Sequence, residues 1–229
     1  MAMRSRSERI ASVAVLDDPT RRAMFDFVAA SGSAVTRDVA AEALHLSRRV
    51  AALHLDKLAD HGLLTVEYRR LNNRTGPGAG RPAKLYRCSS GEVAVSVPER
   101  HYDLIGELFV AAVAQTMDTG ADIAATLDKT AYDAGHAIGA ETGDVAKALQ
   151  QSGYQPTVAG NGATLTLRNC PFHQLAQRHT ELVCGLNLRL LEGIAAGAGD
   201  LSLTPALDPA PGHCCVRLNR ASERDATRQ

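Results

Sequence analysis

Apolar positions in the first part of the chain recur with a helical period in three short blocks. Asp17-Asp18-Pro19-Thr20 supplies an acidic cap and a proline for a first turn, and Met24, Phe25 and Val28 follow at helical spacing up to Gly32. A second helix is predicted over residues 36–44, capped by Thr36 and presenting Val39, Ala40 and Ala43 to a core. After a turn at His45-Leu46, Ser47 caps a third helix in which Ala51, Leu55 and Leu58 share one face, and Gly62 stops it.

The period then changes. Residues 63–68, Leu-Leu-Thr-Val-Glu-Tyr, read as a strand, and residues 83–87 as its returning partner across a Gly, Pro and Asn-rich loop. Three helices and a hairpin within residues 14–87 are the pattern of a winged helix-turn-helix. Beyond Pro98, Leu104, Leu108 and Val113, then Ile123, Leu127, Ala131, Ala134 and Ile138, give two long helical patterns, expected to form a partner interface. A short helix over residues 145–151, a strand over 163–168, a helix over 181–195 and a strand over 213–218 complete the pattern.

The expected fold class is therefore α+β, with an N-terminal winged helix-turn-helix (1–92), central dimerisation helices (93–143), a small C-terminal α+β cysteine-rich domain (144–220) and a frayed tail (221–229). At 229 residues and 45% hydrophobic composition the chain has enough apolar material for two small cores. No apolar run approaches the roughly 18 to 20 residues needed to span a bilayer, and the stretch 10–16 is too short for a signal sequence, so a cytoplasmic protein is expected.

Charge sharpens the division. The formal net charge is zero, yet residues 1–91 hold 15 Lys and Arg against 9 Asp and Glu, whereas residues 92–229 hold 10 against 16. A basic first half suits a polyanion partner. Within it, Ser47, Arg48 and Arg49 open the helix that a helix-turn-helix lays in the major groove. An arginine there can donate two hydrogen bonds to guanine or bond phosphate, and Ser47 with the free helix N–H groups can hold a phosphate oxygen. The hairpin adds Arg69, Arg70, Arg74, Arg81, Lys84 and Arg87, cations suited to the phosphate backbone. Gly76-x-Gly78-x-Gly80 lies at the hairpin tip with no helix behind it, so it reads as a flexible wing and not as a phosphate-binding loop.

Asp18-Pro19-Thr20-Arg21-Arg22, His54-Leu55 with Leu58, and Gly62-Leu63-Leu64 resemble the ArsR-type winged-helix family. That resemblance covers about 70 residues and implies binding to a double-stranded DNA operator.

The remaining chemistry is sulfur. Of five cysteines, Cys170, Cys184, Cys214 and Cys215 fall in the last 60 residues, and Cys88 follows the hairpin and reads as structural. The spacings are not those of short zinc knuckles. In an extended strand Cys214 would share a face with Val216 and Leu218, and Cys215 with Arg217, so Cys214 is the expected inward thiol. No paired carboxylates or nucleophile arrangement point to an enzyme.

Asn169-Cys170-Pro171-Phe172-His173, the stretch from His179 to Cys184 with Asn187, and Gly212-His213-Cys214-Cys215-Val216-Arg217-Leu218, together with Gly80-Arg81-Pro82 and Tyr86, resemble the SufR-like regulators. This implies a homodimeric repressor holding an iron–sulfur cluster, of the 4Fe–4S type, on Cys170, Cys184 and one of Cys214 and Cys215. The chain departs from that group in having no further cysteine between Cys184 and Cys214. The fourth ligand is open among Cys215, His173, His179, His213 and an exogenous thiol or water. Zinc or another soft metal on the same thiolates, or a metal-free thiol switch, are the alternative readings.

Overall fold

The computed structural model describes residues 4–70, 81–159, 164–210 and 212–220. Arg74, the glycine-rich hairpin tip through Gly80 and the tail from residue 221 lie outside them. The chain divides into two compact units, Met1–Val95 and Ser96–Gln229.

The first unit opens with α1 (Arg6–Ala14), set by a capping box in which Ser5 and Glu8 satisfy each other's backbone N–H. A short turn leads to α2 (Pro19–Ala30), capped by Asp18, whose carboxylate accepts from the Arg21 N–H at 2.8 Å. Strand β1 (Val35–Thr36) precedes α3 (Arg37–Ala43), and α4 (Arg48–Asp60) follows after the turn through His45, which adopts a φ of 53°. Strands β2 (Leu64–Arg69) and β3 (Ala83–Cys88) pair antiparallel from Leu64↔Cys88 to Arg69↔Ala83, and β1 joins β3 on its other edge. Ala51, Leu55 and Leu58 of α4 are fully buried against Met24, Val28 and Tyr86. On α3 the core positions are Ala40 and Ala41; Val39 and Ala43, expected inside, are exposed, because the buried face is turned one residue further round the helix, through Ala40, Ala41 and the partly buried Leu44.

The second unit packs α5 (Tyr102–Thr119), α6 (Ile123–Thr142), α7 (Val145–Gln151), α8 (His173–Arg178) and α9 (Thr180–Gly197) with an antiparallel sheet ordered β4-β5-β7-β6. Its strands are β4 (Pro156–Ala159), β5 (Thr164–Leu167), β6 (Leu203–Leu207) and β7 (Val216–Arg220). The helices set apart in the sequence as residues 93–143 share one core with this sheet: Ile105, Leu108, Leu127 and Ala131 are buried with Leu167, Leu190, Leu191 and Val216. Helix α5 packs on α6, and α6 packs on α9. Gly135 and Gly139 of α6 face Gly193 and Gly197 of α9, and a methyl group at Gly193 would run into the Tyr132 carbonyl, as one at Gly135 would into that of Leu190. Backbone against backbone leaves no flexible side chain to yield. Gly193→Ala is expected to destabilise the unit by about 1–3 kcal/mol net of its gain in helix propensity, lowering the thermal midpoint by a few degrees. Gly106→Ala, where an added methyl meets nothing, should raise it slightly; a higher midpoint for Gly193→Ala in the same thermal scans would contradict the close packing.

Candidate functional site

Two sites arise, one in each unit. In the first, Ser47 caps α4, its hydroxyl accepting from the Val50 N–H at 3.3 Å, which leaves the hydroxyl hydrogen and the first-turn N–H groups facing outward. Arg48 and Arg49 are both exposed. The Arg48 guanidinium lies 3.1 Å from Asp38 on α3, so it is oriented across the helix-turn-helix, whereas Arg49 has no ion-pair partner among the described residues. One turn beyond Arg49 stands Leu53, 66% exposed, beside the partly exposed Val50. Arginine next to exposed aliphatic carbon is a surface able to meet guanine and the thymine methyl in a major groove.

Arg70 and Arg81 are exposed at the loop end of the paired strands, just beyond Arg69↔Ala83; Arg74 lies outside the described residues. Lys84 behaves differently from the free phosphate-binding cation expected of it. Its ammonium bonds Asp56 of α4, which also accepts from the Tyr86 hydroxyl at 2.6 Å, and it stands 5.2 Å from the Tyr86 ring. The register Glu67↔Leu85 and Tyr68↔Lys84 fixes Lys84 next to α4, a pairing that no sequence spacing reveals. Burial works against the Asp56 charge, but the bonds from Lys84 and Tyr86 outweigh it and hold the carboxyl below its ordinary value. Burial and Asp56 push Tyr86 up to about 12.

A depressed folded carboxyl contributes stability above its unfolded value that is lost as pH falls through the folded one. Asp56→Asn should therefore lower the urea midpoint at neutral pH, and the difference from wild type should vanish under acid; an equal difference at both pH values would count against this network.

The second site gathers sulfur. Cys170 sits between β5 and α8, Cys184 in the second turn of α9, and Cys214 and Cys215 immediately before β7. They do not lie within the strand, as the alternation pattern had placed them: β7 begins at Val216, and the Cys214 N–H instead donates to the Leu167 carbonyl at 2.7 Å. Burial still distinguishes the pair, since Cys214 is buried and Cys215 half-buried. All four line one cavity of about 210 Å³ together with His173 and His213; His179 is not part of its wall. Cys88 lies in β3 of the other unit, against the core of the winged domain.

The four thiols influence one another's ionisation: Cys170 with Cys214, Cys214 with Cys215, and Cys215 with Cys184. The bond from Cys214, joined by the Phe172 N–H, outweighs burial and lowers the Cys170 pKa. Burial and its bond to Cys215 push Cys184 up to about 12. Donation to Cys170, with burial, pushes Cys214 up to about 12, and donation to Cys214 together with burial raises Cys215 as well. Of the four thiols, Cys170 is the one whose ionisation its surroundings ease. Behind them the fully buried Asn187 donates its amide N–H to Cys214 at 3.2 Å and to Cys215 at 3.8 Å, and its carbonyl accepts from the Tyr154 hydroxyl. Such donors favour electron-rich sulfur, thiolate or metal-bound.

The donor set, four thiols and two imidazoles without a carboxylate, has the chemistry of a soft-metal or iron–sulfur site. Among the described residues no group of three or more His, Cys, Asp or Glu is arranged to hold a single metal ion. Sequence spacing alone could not bring the distant Tyr154 to Asn187; three residues after Cys184 on the same helix face, Asn187 itself was the available signal.

Residues 16–67 match the family model described as a helix-turn-helix domain. No curated protein and no solved structure is detectably similar to the chain. No helix among the described residues is long and apolar enough to cross a membrane. The N-terminal unit thus carries the helix-turn-helix of DNA-binding transcription regulators, completed by a β-hairpin wing.

Proposed function

We propose that the chain is a sequence-specific transcription repressor that binds double-stranded operator DNA as a homodimer, with its affinity controlled by an iron–sulfur cluster of the 4Fe–4S type. The observation that carries this reading is the meeting of Cys170, Cys184, Cys214 and Cys215, distant in sequence, around one cavity in a chain that also holds a helix-turn-helix. Cys170, Cys184 and Cys214 would hold the cluster, with Cys215, His173 or His213 near enough to complete the set. When bound, the cluster supplies redox sensitivity and a covalent tie among three elements.

The chain's own residues do the rest. Asn187, held by Tyr154, orients its N–H groups on the sulfurs, and the burial of Cys170, Cys184 and Cys214 restricts water. Ser47, Arg48 and Arg49 meet the major groove, and Arg70, Arg74 and Arg81 the phosphates. The dimer reading is supported by α5, where Val110 and Met117, 68% and 81% exposed, share a face with Val113. Two recognition helices related by a two-fold axis suit a palindromic operator.

The test is anaerobic purification with iron and acid-labile sulfide analysis, sedimentation at micromolar concentration, and operator titration before and after air exposure. Brown dimeric protein whose operator affinity falls on cluster loss is the expected result. Colourless protein with stoichiometric zinc would support the soft-metal alternative. One observation favours a metal-free alternative: four thiols share the wall of one cavity, where oxidation can join two of them in a disulfide. Iron-free protein whose affinity responds reversibly to oxidant would establish that reading instead.

A further inference from the structure

Cys170 belongs to a second set of contacts, made through its backbone carbonyl and the neighbouring Asn169. Asn169 is 6% exposed, and its side-chain amide is fully engaged. Its Nδ2 donates to the carbonyls of Glu99 and Gly153, each at 2.7 Å, and its Oδ1 accepts from the Arg100 guanidinium. The same Arg100 nitrogen donates to the Cys170 carbonyl at 3.2 Å. Next in the chain, the His101 N–H donates to the Pro171 carbonyl at 3.2 Å, and the Tyr102 hydroxyl accepts from the Gln174 N–H at 3.4 Å. Backward along the chain, the Arg100 N–H donates to the Ser96 hydroxyl at 2.6 Å. Consecutive residues 99–102 are therefore fastened to the segment that carries Cys170, and Ser96 follows directly on Val95, the last residue of the helix-turn-helix unit.

We propose that Asn169 and Arg100 are positioning residues that transmit the state of Cys170 to residues 96–101, the stretch leading out of the DNA-binding unit. This rests on the reading that the thiols ligate a cluster which controls operator binding.

A buried amide whose donors and acceptor are all paired resists any shift that leaves one of them unpaired. Ligation would draw the Cys170 sulfur toward its partners and loss of the ligand would release it, and either would act on the backbone carbonyl that Arg100 holds and the adjoining carbonyl that His101 holds. With Asn169 bonded to Glu99 and Gly153 at once, the path that keeps every bond carries residues 96–101, and Gly153 with them, along with Cys170. A mere staple would stabilise the liganded and free states alike, whereas a transmitting residue changes the difference between them.

The experiment uses the full chain, with wild type, Asn169→Ala, Arg100→Gln and Arg100→Lys purified anaerobically. Iron, sulfide and visible absorption report the cluster. Affinity for a duplex selected by the wild type from random DNA is measured at fixed salt for cluster-loaded and chelator-stripped protein. Wild type is expected to show a ratio of about five- to a hundredfold between the two states. Asn169→Ala and Arg100→Gln are expected to keep iron and sulfide while the ratio falls below about twofold, with partial recovery in Arg100→Lys, which keeps the charge and one donor.

A wild-type ratio in both cluster-loaded variants overturns the proposal, as does loss of the cluster from both, which would make the network a support for the ligand loop alone. Failure of the functional reading shows separately, as a wild type without iron or without a ratio. In that case amide hydrogen exchange over residues 96–105, with and without Zn²⁺ on the thiols, decides the coupling: a change present in wild type and absent in Asn169→Ala supports it, and any other pattern overturns it.

Discussion

Cys170→Ser, Cys184→Ser and Cys214→Ser are each expected to strip iron and sulfide from anaerobically purified protein and to lower operator affinity by several-fold to about a hundredfold, matching air-exposed wild type. Each serine replaces a thiol that is buried in the cavity wall. A hydroxyl is a far harder and less acidic donor than a thiol, so it cannot take over ligation of soft iron–sulfur chemistry. Cys88→Ser should keep both cluster and response, since Cys88 packs in the other unit.

Cys214 and Cys215 are the discriminating pair. Cys214 is buried and receives the shorter bond from Asn187, 3.2 Å against 3.8 Å. We therefore expect Cys214→Ser to lose the cluster and Cys215→Ser to lose less of it. A full cluster in Cys214→Ser with none in Cys215→Ser would reverse the ligand assignment. Wild-type behaviour in all four variants would end the sensor reading.

Arg49→Ala is expected to cost about 1–3 kcal/mol in operator affinity and to relax sequence preference, the mark of a lost base contact. Arg48→Ala should cost less, because Asp38 already holds that guanidinium at 3.1 Å and its charge is partly answered within the protein. Arg81→Ala, on the wing, should weaken operator and scrambled duplex alike and reduce the salt slope by about 1. Leu53 provides an internal comparison. If its exposed side chain meets a thymine methyl, Leu53→Ala weakens the operator more than the scrambled duplex, whereas a surface leucine turned to solvent shows no difference. Titrations on both duplexes across a salt series separate these outcomes, and a double variant of Arg48 and Arg49 that binds the operator like wild type would remove α4 as the reader.

The winged domain was legible because its signals sit within one turn of the residues they control. Asp18 caps α2, Thr36 caps α3 and Ser47 caps α4, while Ala51, Leu55 and Leu58 point one way by helical geometry alone. The same holds for α7, read at residues 145–151 from its own pattern, and for the hairpin, read from β-branched content either side of a loop. Local signals also lay unused in α1, whose Ser5 and Glu8 form a capping box. The short strands β1, β4 and β6 carry too little pattern of their own and exist through the partners they pair with.

Tertiary structure decided whatever depends on residues distant in sequence meeting in space. The apolar faces of α5 and α6 looked like surface awaiting a partner, but glycines on α6 and α9 bring two backbones together and cover much of α6 inside its own unit, leaving Val110, Val113 and Met117 of α5 outside. Lys84 counted as one more cation for DNA until the strand register set it on Asp56. The cysteines were visible as residue types, and a family resemblance singled out a ligand set, yet their spacings of 13 and 29 intervening residues carry no geometry. It took the loop after β5, the second turn of α9 and the approach to β7, folded onto one core, to bring the thiols to a shared cavity. Sequence determined which short segments would form and what chemistry they carry, because capping and periodicity act over a few residues. Only the fold decided which of those chemistries face each other, because that is settled by packing and by the pairing of buried polar groups over the whole unit.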